Sequence, residues 1–329
     1  MRTGSKLLHQ LLFVAAGIML VCLPASATEN GATVWPRGAE SIVIATAPRP
    51  GQTNVYEYTC FYEANQLDDA NGKKLPIPDF RLRVFAVAVK VAHNWGVKFA
   101  GGNVVSWIAV PTVYEQIHVP LEGSAYKYRK DGISNVNLVP IRVNYSKGIA
   151  RWFWELQFET TGDGYDKDSP INIGQHNLAF TPAVGFTLFP NHGKEEISSR
   201  FDYIINDQNH DNHYHSGNEF LWQFDARQEI PHHKSSVGLV GYFHKQITDD
   251  HQNGAIVTTT NADGTLCKGY KGRVLSIGPQ VTFPIGKLGG MAFKWDHDLL
   301  VQNQTRGNAF WFQFMVPFSY LHHLPSEHK

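Results

Sequence analysis

Charged and amide side chains recur at every second position in several stretches of this chain, with aromatic or aliphatic residues between them. In Ala150–Glu159 (ARWFWELQFE), Arg151, Glu155, Gln157 and Glu159 alternate with Trp152, Trp154, Leu156 and Phe158. Arg200 and Asp202 oppose Phe201, Tyr203 and Ile205, while Glu219, Gln223, Asp225 and Arg227 oppose Phe220, Trp222 and Phe224. His244 and Gln246 share a register with Tyr242, and Lys294, Asp296 and Asp298 complete the set. A period of two is that of a β-strand with one wet and one oily face. On the inner wall of a barrel such residues can guide or select a solute. They can equally pair with one another and fill a narrow barrel, since twelve strands enclose only modestly more space than the eight that side chains can fill. Both signs occur in similar number, so no strong ion selectivity is expected.

Other chemistry is thin. His210, His213 and His215 stand beside Asp207 and Asp211 in NHDNHYHSG, a spacing that could hold Zn or Cu, but no fourth ligand is fixed and solvated histidines are the simpler reading. Asp163, Asp166 and Asp168 lack the full Ca²⁺-loop pattern and read as a plain acidic loop. There is no G-x-S-x-G, H-E-x-x-H or phosphate-cradling loop. His215 and Ser216 are adjacent, so on a strand they point opposite ways and form no dyad. No catalytic residue, metal or cofactor is assigned, and the chain reads as a non-enzyme. After the leader two cysteines remain, Cys60 and Cys267; the compartment permits a disulfide, and the sequence leaves bonded and free thiols both open.

These faces need strands to position them. Residues 1–27 read as a signal peptide, with Arg2 and Lys6, an apolar run and Ala25-Ser26-Ala27. Residues 28–53, rich in Pro and Gly, read as a periplasmic lead-in able to plug a barrel. Residues 54–320 supply about twelve candidate strands, and 321–329 a C-terminal tail. Pro111, inside the third strand, predicts a bulge or break. Long polar links (Glu63–Asp79, His118–Ser134, Thr160–His176, Asp207–Gly217, Thr248–Gly272) alternate with short ones, as outer loops alternate with periplasmic turns. The loop Thr248–Gly272 is a second candidate for a gate, and Tyr126, Tyr128 and Tyr165 are loop aromatics where a solute could first bind. The last strand ends in aromatic residues, the form that barrel-assembly machinery recognises. Closure also removes the free sheet edge that neither water nor lipid tolerates.

Composition agrees. Basic and acidic residues balance at 29 each, which excludes recruitment of nucleic acid by net charge. Aromatics at 12% suit girdles at a lipid interface. After the leader no stretch is apolar for the ~18 residues a membrane helix needs, but a barrel strand needs only about ten. The expectation is a transmembrane antiparallel β-barrel, with outer-membrane lipid around it. The competing expectation is a soluble β-sandwich, periplasmic or secreted, that binds carbohydrate or metal.

Four stretches carry a family resemblance: PRGAESIVIATAPRPGQTNVYEY (Pro36–Tyr58), GYFHKQITDD (Gly241–Asp250), SIGPQVTF (Ser276–Phe283) and GNAFWFQFMVPF (Gly307–Phe318). With these the chain resembles the outer-membrane proteins linked to the meta (MetA-type) pathway of phenol degradation, and more distantly the long-chain fatty-acid channel type. The resemblance implies an outer-membrane barrel in a Gram-negative bacterium that passes small hydrophobic or aromatic compounds. It carries no functional residue over to this sequence.

Overall fold

The computed structural model describes residues 33–121, 124–163, 165–169, 171–286 and 289–318. The leader (1–27), the tail (321–329) and the Tyr126 side chain lie outside the described residues. The strands are β1 (Thr53–Asp68), β2 (Arg81–Phe99), β3 (Gly102–Leu121), β4 (Ser124–Ile133), β5 (Asn137–Lys147), β6 (Ala150–Glu159), β7 (Ala179–Leu188), β8 (Glu195–Asn206), β9 (Gln208–Asn209), β10 (Tyr214–His215), β11 (Glu219–Glu229), β12 (Ser236–Gln246), β13 (His251–Gln252), β14 (Ala255–Ile256), β15 (Thr258–Thr260), β16 (Leu266–Lys268), β17 (Arg273–Ile285), β18 (Gly289–Gln302) and β19 (Gln304–Pro317).

Twelve of these close into a ring. The main sheet runs β2-β1-β19-β18-β17-β12-β11-β8-β7-β6-β5-β3-β4, and β2 also pairs with β3. Every neighbouring pair is antiparallel, including β1 with β19 (Cys60 opposite Trp311) and β2 with β3 (Val87 opposite Thr112). The ring therefore has no free edge, and every strand's backbone polar groups face a partner. An even number of strands brings both ends of the barrel domain to the side of the short turns, the periplasmic side.

The alternation seen in the sequence becomes inside and outside. In β6, Phe153, Glu155, Gln157 and Glu159 are buried in the lumen, while Trp152 and Phe158 are exposed on the outer surface. The same holds around the ring: Arg200, Asp202, Gln223, His244 and Gln246 are at most 1% exposed, whereas Val184, Leu239 and Phe293 on the outer face are 51%, 57% and 47% exposed. This overturns the soluble sandwich, whose oily faces would meet one another between two sheets. Here they meet across strands on the outer surface, as in Trp295 stacked on Phe310 (6.1 Å) and Phe201 on Trp222 (6.2 Å).

The expected loop sorting holds with two corrections. His118–Ser134, read as a loop, is largely strand: β3 runs on to Leu121 and β4 returns beside it, pairing Thr112 with Ile133 through Pro120 with Ala125. The β18–β19 link on the outer side is a single residue, Asn303, with φ 47°. Pro111 is where β3 changes partner. Its pairing with β5 ends at Ala109 and its pairing with β4 begins at Thr112. A residue with no N–H is least costly at such a seam, and the Pro111 carbonyl accepts a hydrogen bond from the Ser134 N–H (2.9 Å).

The expected gate loop, Thr248–Gly272, folds over the outer rim as short hairpins. The Ala262 N–H donates to Asp69 Oδ2 (2.9 Å), and Asp250 Oδ1 accepts from the Gly217 N–H (2.7 Å), so it staples one loop to the next. The two cysteines are free thiols: Cys60 is buried in β1, while Cys267 is in β16 of that rim loop. The disulfide left open by the sequence does not form, because the two residues belong to different levels of the molecule.

Candidate functional site

Residues 33–48 belong to no strand and lie largely inside the barrel, with Val34, Trp35, Ser41, Ile44 and Ala45 all buried, while Arg49–Gln52 are exposed and Gly51 and Gln52 bond the backbone of Asn94 on β2. Lacking a ladder, this plug has its backbone groups met by side chains of the wall. Gln223 Oε1 accepts from the Glu40 N–H (3.1 Å), Glu196 Oε1 from Val43 (2.5 Å) and Thr187 Oγ1 from Ala45 (3.1 Å). Arg142 donates to the Ile44 carbonyl (2.5 Å), Asn144 to Ala45 (3.0 Å), Asn94 to Pro48 (2.8 Å) and Gln313 to Ala39 (2.6 Å). Lys294 donates to the Gly38 carbonyl and to Ser41 Oγ (2.8 Å). Gly38 is needed at this step: its φ is +82°, and a Cβ there would lie 2.9 Å from Asp296 Oδ2.

At the middle of the plug, Glu40 meets the charges of the wall. Its carboxylate pairs with Lys90 on β2 and with Arg200 on β8 (2.9 Å), and accepts a hydrogen bond from the Tyr58 hydroxyl (3.3 Å). Arg200 also reaches Glu155 (2.7 Å) and Asp202 (2.8 Å), and Arg142 reaches Glu155 (3.4 Å). The Trp107 indole N–H donates to the same Glu155 (3.1 Å). Three cations, Lys90, Arg142 and Arg200, thus face three anions, Glu40, Glu155 and Asp202. Burial by itself would push the Glu40 carboxyl up; Lys90, Arg200 and Arg142 outweigh it and hold the group at about 2, below the ordinary 4.5.

Each cation also lies against an aromatic face, which offsets part of its lost hydration. Lys90 sits 4.0 Å from the Trp107 ring centroid, Arg142 3.7 Å from Phe153, Arg200 5.0 Å from Trp35 and Lys294 5.0 Å from Trp311.

The plug divides the lumen into two cavities. The outer one, about 290 Å³, is lined by Trp35, Tyr58, Tyr62, Tyr242, Trp311 and small residues of β2 and β3. The inner one, about 280 Å³, is lined by Ile42–Ile44, Tyr56, Trp107, Arg142, Arg227 and Met291. Ala39, Glu40, Tyr58 and Lys90 line both. The Glu40–Lys90–Tyr58 contact is therefore the partition between them.

The residues singled out in the sequence divide accordingly. Glu155, Arg200 and Asp202 belong to this charge cluster. Glu159 receives a hydrogen bond from Gln157, one position nearer the rim. His244 Nε2 bonds Glu219 (2.6 Å), and Gln246 donates to Asp250 (2.6 Å), both beyond the cluster toward the outer loops. Arg227 pairs with Glu196 beside Asp225, and Lys294, Asp296 and Asp298 form a separate patch with Tyr62 and Tyr242, whose hydroxyls donate to Asp298 (3.2 and 3.1 Å). Arg151 folds back onto the β5–β6 turn, donating to the carbonyls of Gly148 and Ala150 (2.9 Å each). It is the second residue of β6 and half-buried. Tyr128 packs on the Leu67–Phe80–Ile117 cluster and Tyr165 stacks on His176 (5.1 Å), so both serve the outer loops. Among the loop residues considered for metal, Asp166 accepts from the Asp168 N–H (2.9 Å) and His215 bonds the Asn206 carbonyl (3.0 Å).

Glu40, Tyr58, Lys90, Trp107 and Arg142 were not singled out as charged-wall candidates. The signal existed for Lys90 and Arg142: each is the lone charge in an apolar run (FAVAVKVAHNW and LVPIRVNY) at an inward register. Glu40 had none, because nothing periodic places a coil residue in a lumen.

Comparison with known proteins agrees with the fold. An outer membrane channel from Pseudomonas putida F1 matches with a TM-score of 0.69 at 12% identity, covering 83% of this chain and 98% of that one. The β domain of the Bordetella autotransporter Brka aligns over 82% of this chain and all of its own, at 9% identity and a TM-score of 0.44. No curated protein shows a significant sequence match. Residues 64–314 match the model of the family described as "Putative MetA-pathway of phenol degradation". The closed ring of strands with apolar outer faces and this match over most of the sequence place the protein in the outer membrane of a Gram-negative bacterium, and the chain belongs to the family of the MetA pathway of phenol degradation.

Proposed function

We propose that the protein is a passive outer-membrane channel for small hydrophobic or aromatic compounds, closed at rest by its own residues 33–52. The observation that carries this reading is the pair of aromatic-lined cavities in series, meeting where Ala39 and Glu40 lie against Lys90 and Tyr58. A solute collected by the outer cavity passes when the plug shifts, and leaves through the inner cavity or sideways through the wall. At about 290 Å³ the outer cavity is at the lower end of ligand pockets, which suits single-ring compounds. In this reading the polar wall serves passage rather than catalysis, the aromatic-ended β19 is the signal for barrel assembly, and residues 1–27 are removed on export. The test is uptake of a neutral aromatic such as phenol into proteoliposomes carrying the full mature chain, against a variant lacking residues 33–52. Faster uptake than in empty vesicles, increased by the deletion, supports the channel; uptake equal to empty vesicles in both, with the protein inserted, rejects it.

A further inference from the structure

Glu40 differs from the other five charges of the cluster in one respect: it alone is on the plug. Lys90, Arg142, Arg200, Glu155 and Asp202 belong to β2, β5, β8, β6 and β8 and are fixed by the ladder. When Glu40 withdraws with the plug, the wall keeps three cations against two anions. An unpaired charge in such a place is strongly unfavourable, so whatever opens the partition must bring a replacement anion or admit much water.

The outer cavity adds an independent feature. Trp35, which lines it, has its indole N–H buried without a hydrogen-bond partner among the described residues. A buried donor left unmet costs free energy that an acceptor on a ligand would recover. Aromatic walls, a free donor and, at the floor, Lys90 in contact with a detachable carboxylate together describe a ligand with a small apolar body and one carboxylate.

Resting on the channel reading, we propose that the outer cavity selects small aromatic or aliphatic monocarboxylates, whose carboxylate takes the place of Glu40 on Lys90, with Arg200 behind it, and so releases the plug. The body of the ligand lies against the tyrosines while the exchange keeps the local charge at zero. Glu40 acts as a built-in competitor, and ligand binding and gating are then one event.

The test uses the full mature chain in detergent, with tryptophan fluorescence read on titration with benzoate, benzyl alcohol and toluene. E40Q removes the competitor while keeping the side-chain volume. The expected result is benzoate binding at least about tenfold tighter in E40Q than in the unmodified protein, with benzyl alcohol changed little. K90Q in the E40Q background should abolish that gain. Circular dichroism and heat-modifiable migration confirm that each variant is folded, and should E40Q not fold, E40D, which shortens the competitor, gives a smaller gain in the same direction. Benzoate binding unchanged by E40Q, or strengthened no more than benzyl alcohol, overturns the inference. The two readings separate cleanly: phenol uptake with no benzoate effect leaves the channel and removes the carboxylate site, whereas benzoate exchange with no uptake of any solute leaves the site and removes the channel.

Discussion

The plug and the wall around it solve the same problem, buried backbone polar groups, in opposite ways. In β6 every ladder position faces β5 or β7, from Lys147 opposite Ala150 to Glu159 opposite Ala179. In residues 33–48 the corresponding groups are met by side chains reaching in from six strands, as with Gln223, Glu196, Thr187, Arg142, Asn144, Asn94 and Gln313. A ladder can be left only by breaking a strand pair, which lipid does not permit. Side-chain hydrogen bonds, each worth about 1 kcal/mol net, can be exchanged for water one by one. On the channel reading proposed above, the wall is the permanent part and residues 33–48 the part that can be exchanged, although both are buried.

The largest expected effect follows from that difference. Deleting residues 33–52 should leave a heat-modifiable barrel and turn a closed channel into one that conducts continuously in planar bilayers. A deletion variant that fails to insert would place the plug among the elements the wall needs. Next, Arg200→Met leaves Glu40, Glu155 and Asp202 with a single strong cation fewer at the junction of plug and wall. A loss of about 3–5 kcal/mol is expected from urea unfolding, partly restored by adding E40Q. On the lipid side, Val184→Arg puts a charge where the wall is 51% exposed, and should cost about 2–4 kcal/mol if that position lies near the bilayer midplane. The contrast sharpens if the same variant leaves conductance unaltered while Arg200→Met raises it.

A smaller effect is set by acidity. Glu40 is held at about 2 in the folded state against an ordinary 4.5, so its contribution to seating the plug is complete above pH 4.5 and is lost as the pH falls toward 2. Channel opening should rise across that window, and the E40Q variant should lack that component; a rise on the alkaline side alone would contradict the assignment. The smallest expected effect is Thr187→Val, which frees the Ala45 N–H and should weaken plug seating by about 1 kcal/mol, read as a modest increase in open probability.

Much of the wall was legible because the barrel imposes a period of two on every strand, and lipid and lumen reward opposite side chains at alternate positions. Glu155, Arg200, Asp202, Asp296 and His244 could be placed inside from that pattern alone. Arg151 could not, because at the end of a strand a long side chain can bend back to a turn carbonyl, and periodicity is silent about that. The strand β4 was hidden because SAYKYRKDGI carries polar residues on both faces, and the one ring it packs on an apolar cluster, Tyr128, gives no alternation to read. The disulfide was undecidable, since sequence separation says nothing about height along a barrel.

Alternation of wet and oily residues, together with the order of long and short links, determined the closed barrel, its orientation and its membrane, because those depend on solvent at each face and on nothing more distant. The sequence offered residues 28–53 as a segment able to enter a barrel; the tertiary structure alone decided that residues 33–48 lie against the lumen wall and that Glu40 completes a charge balance built from four strands. Such a contact depends on where the ring brings β2, β5, β6 and β8 together around a segment with no period of its own, and no local pattern encodes that meeting.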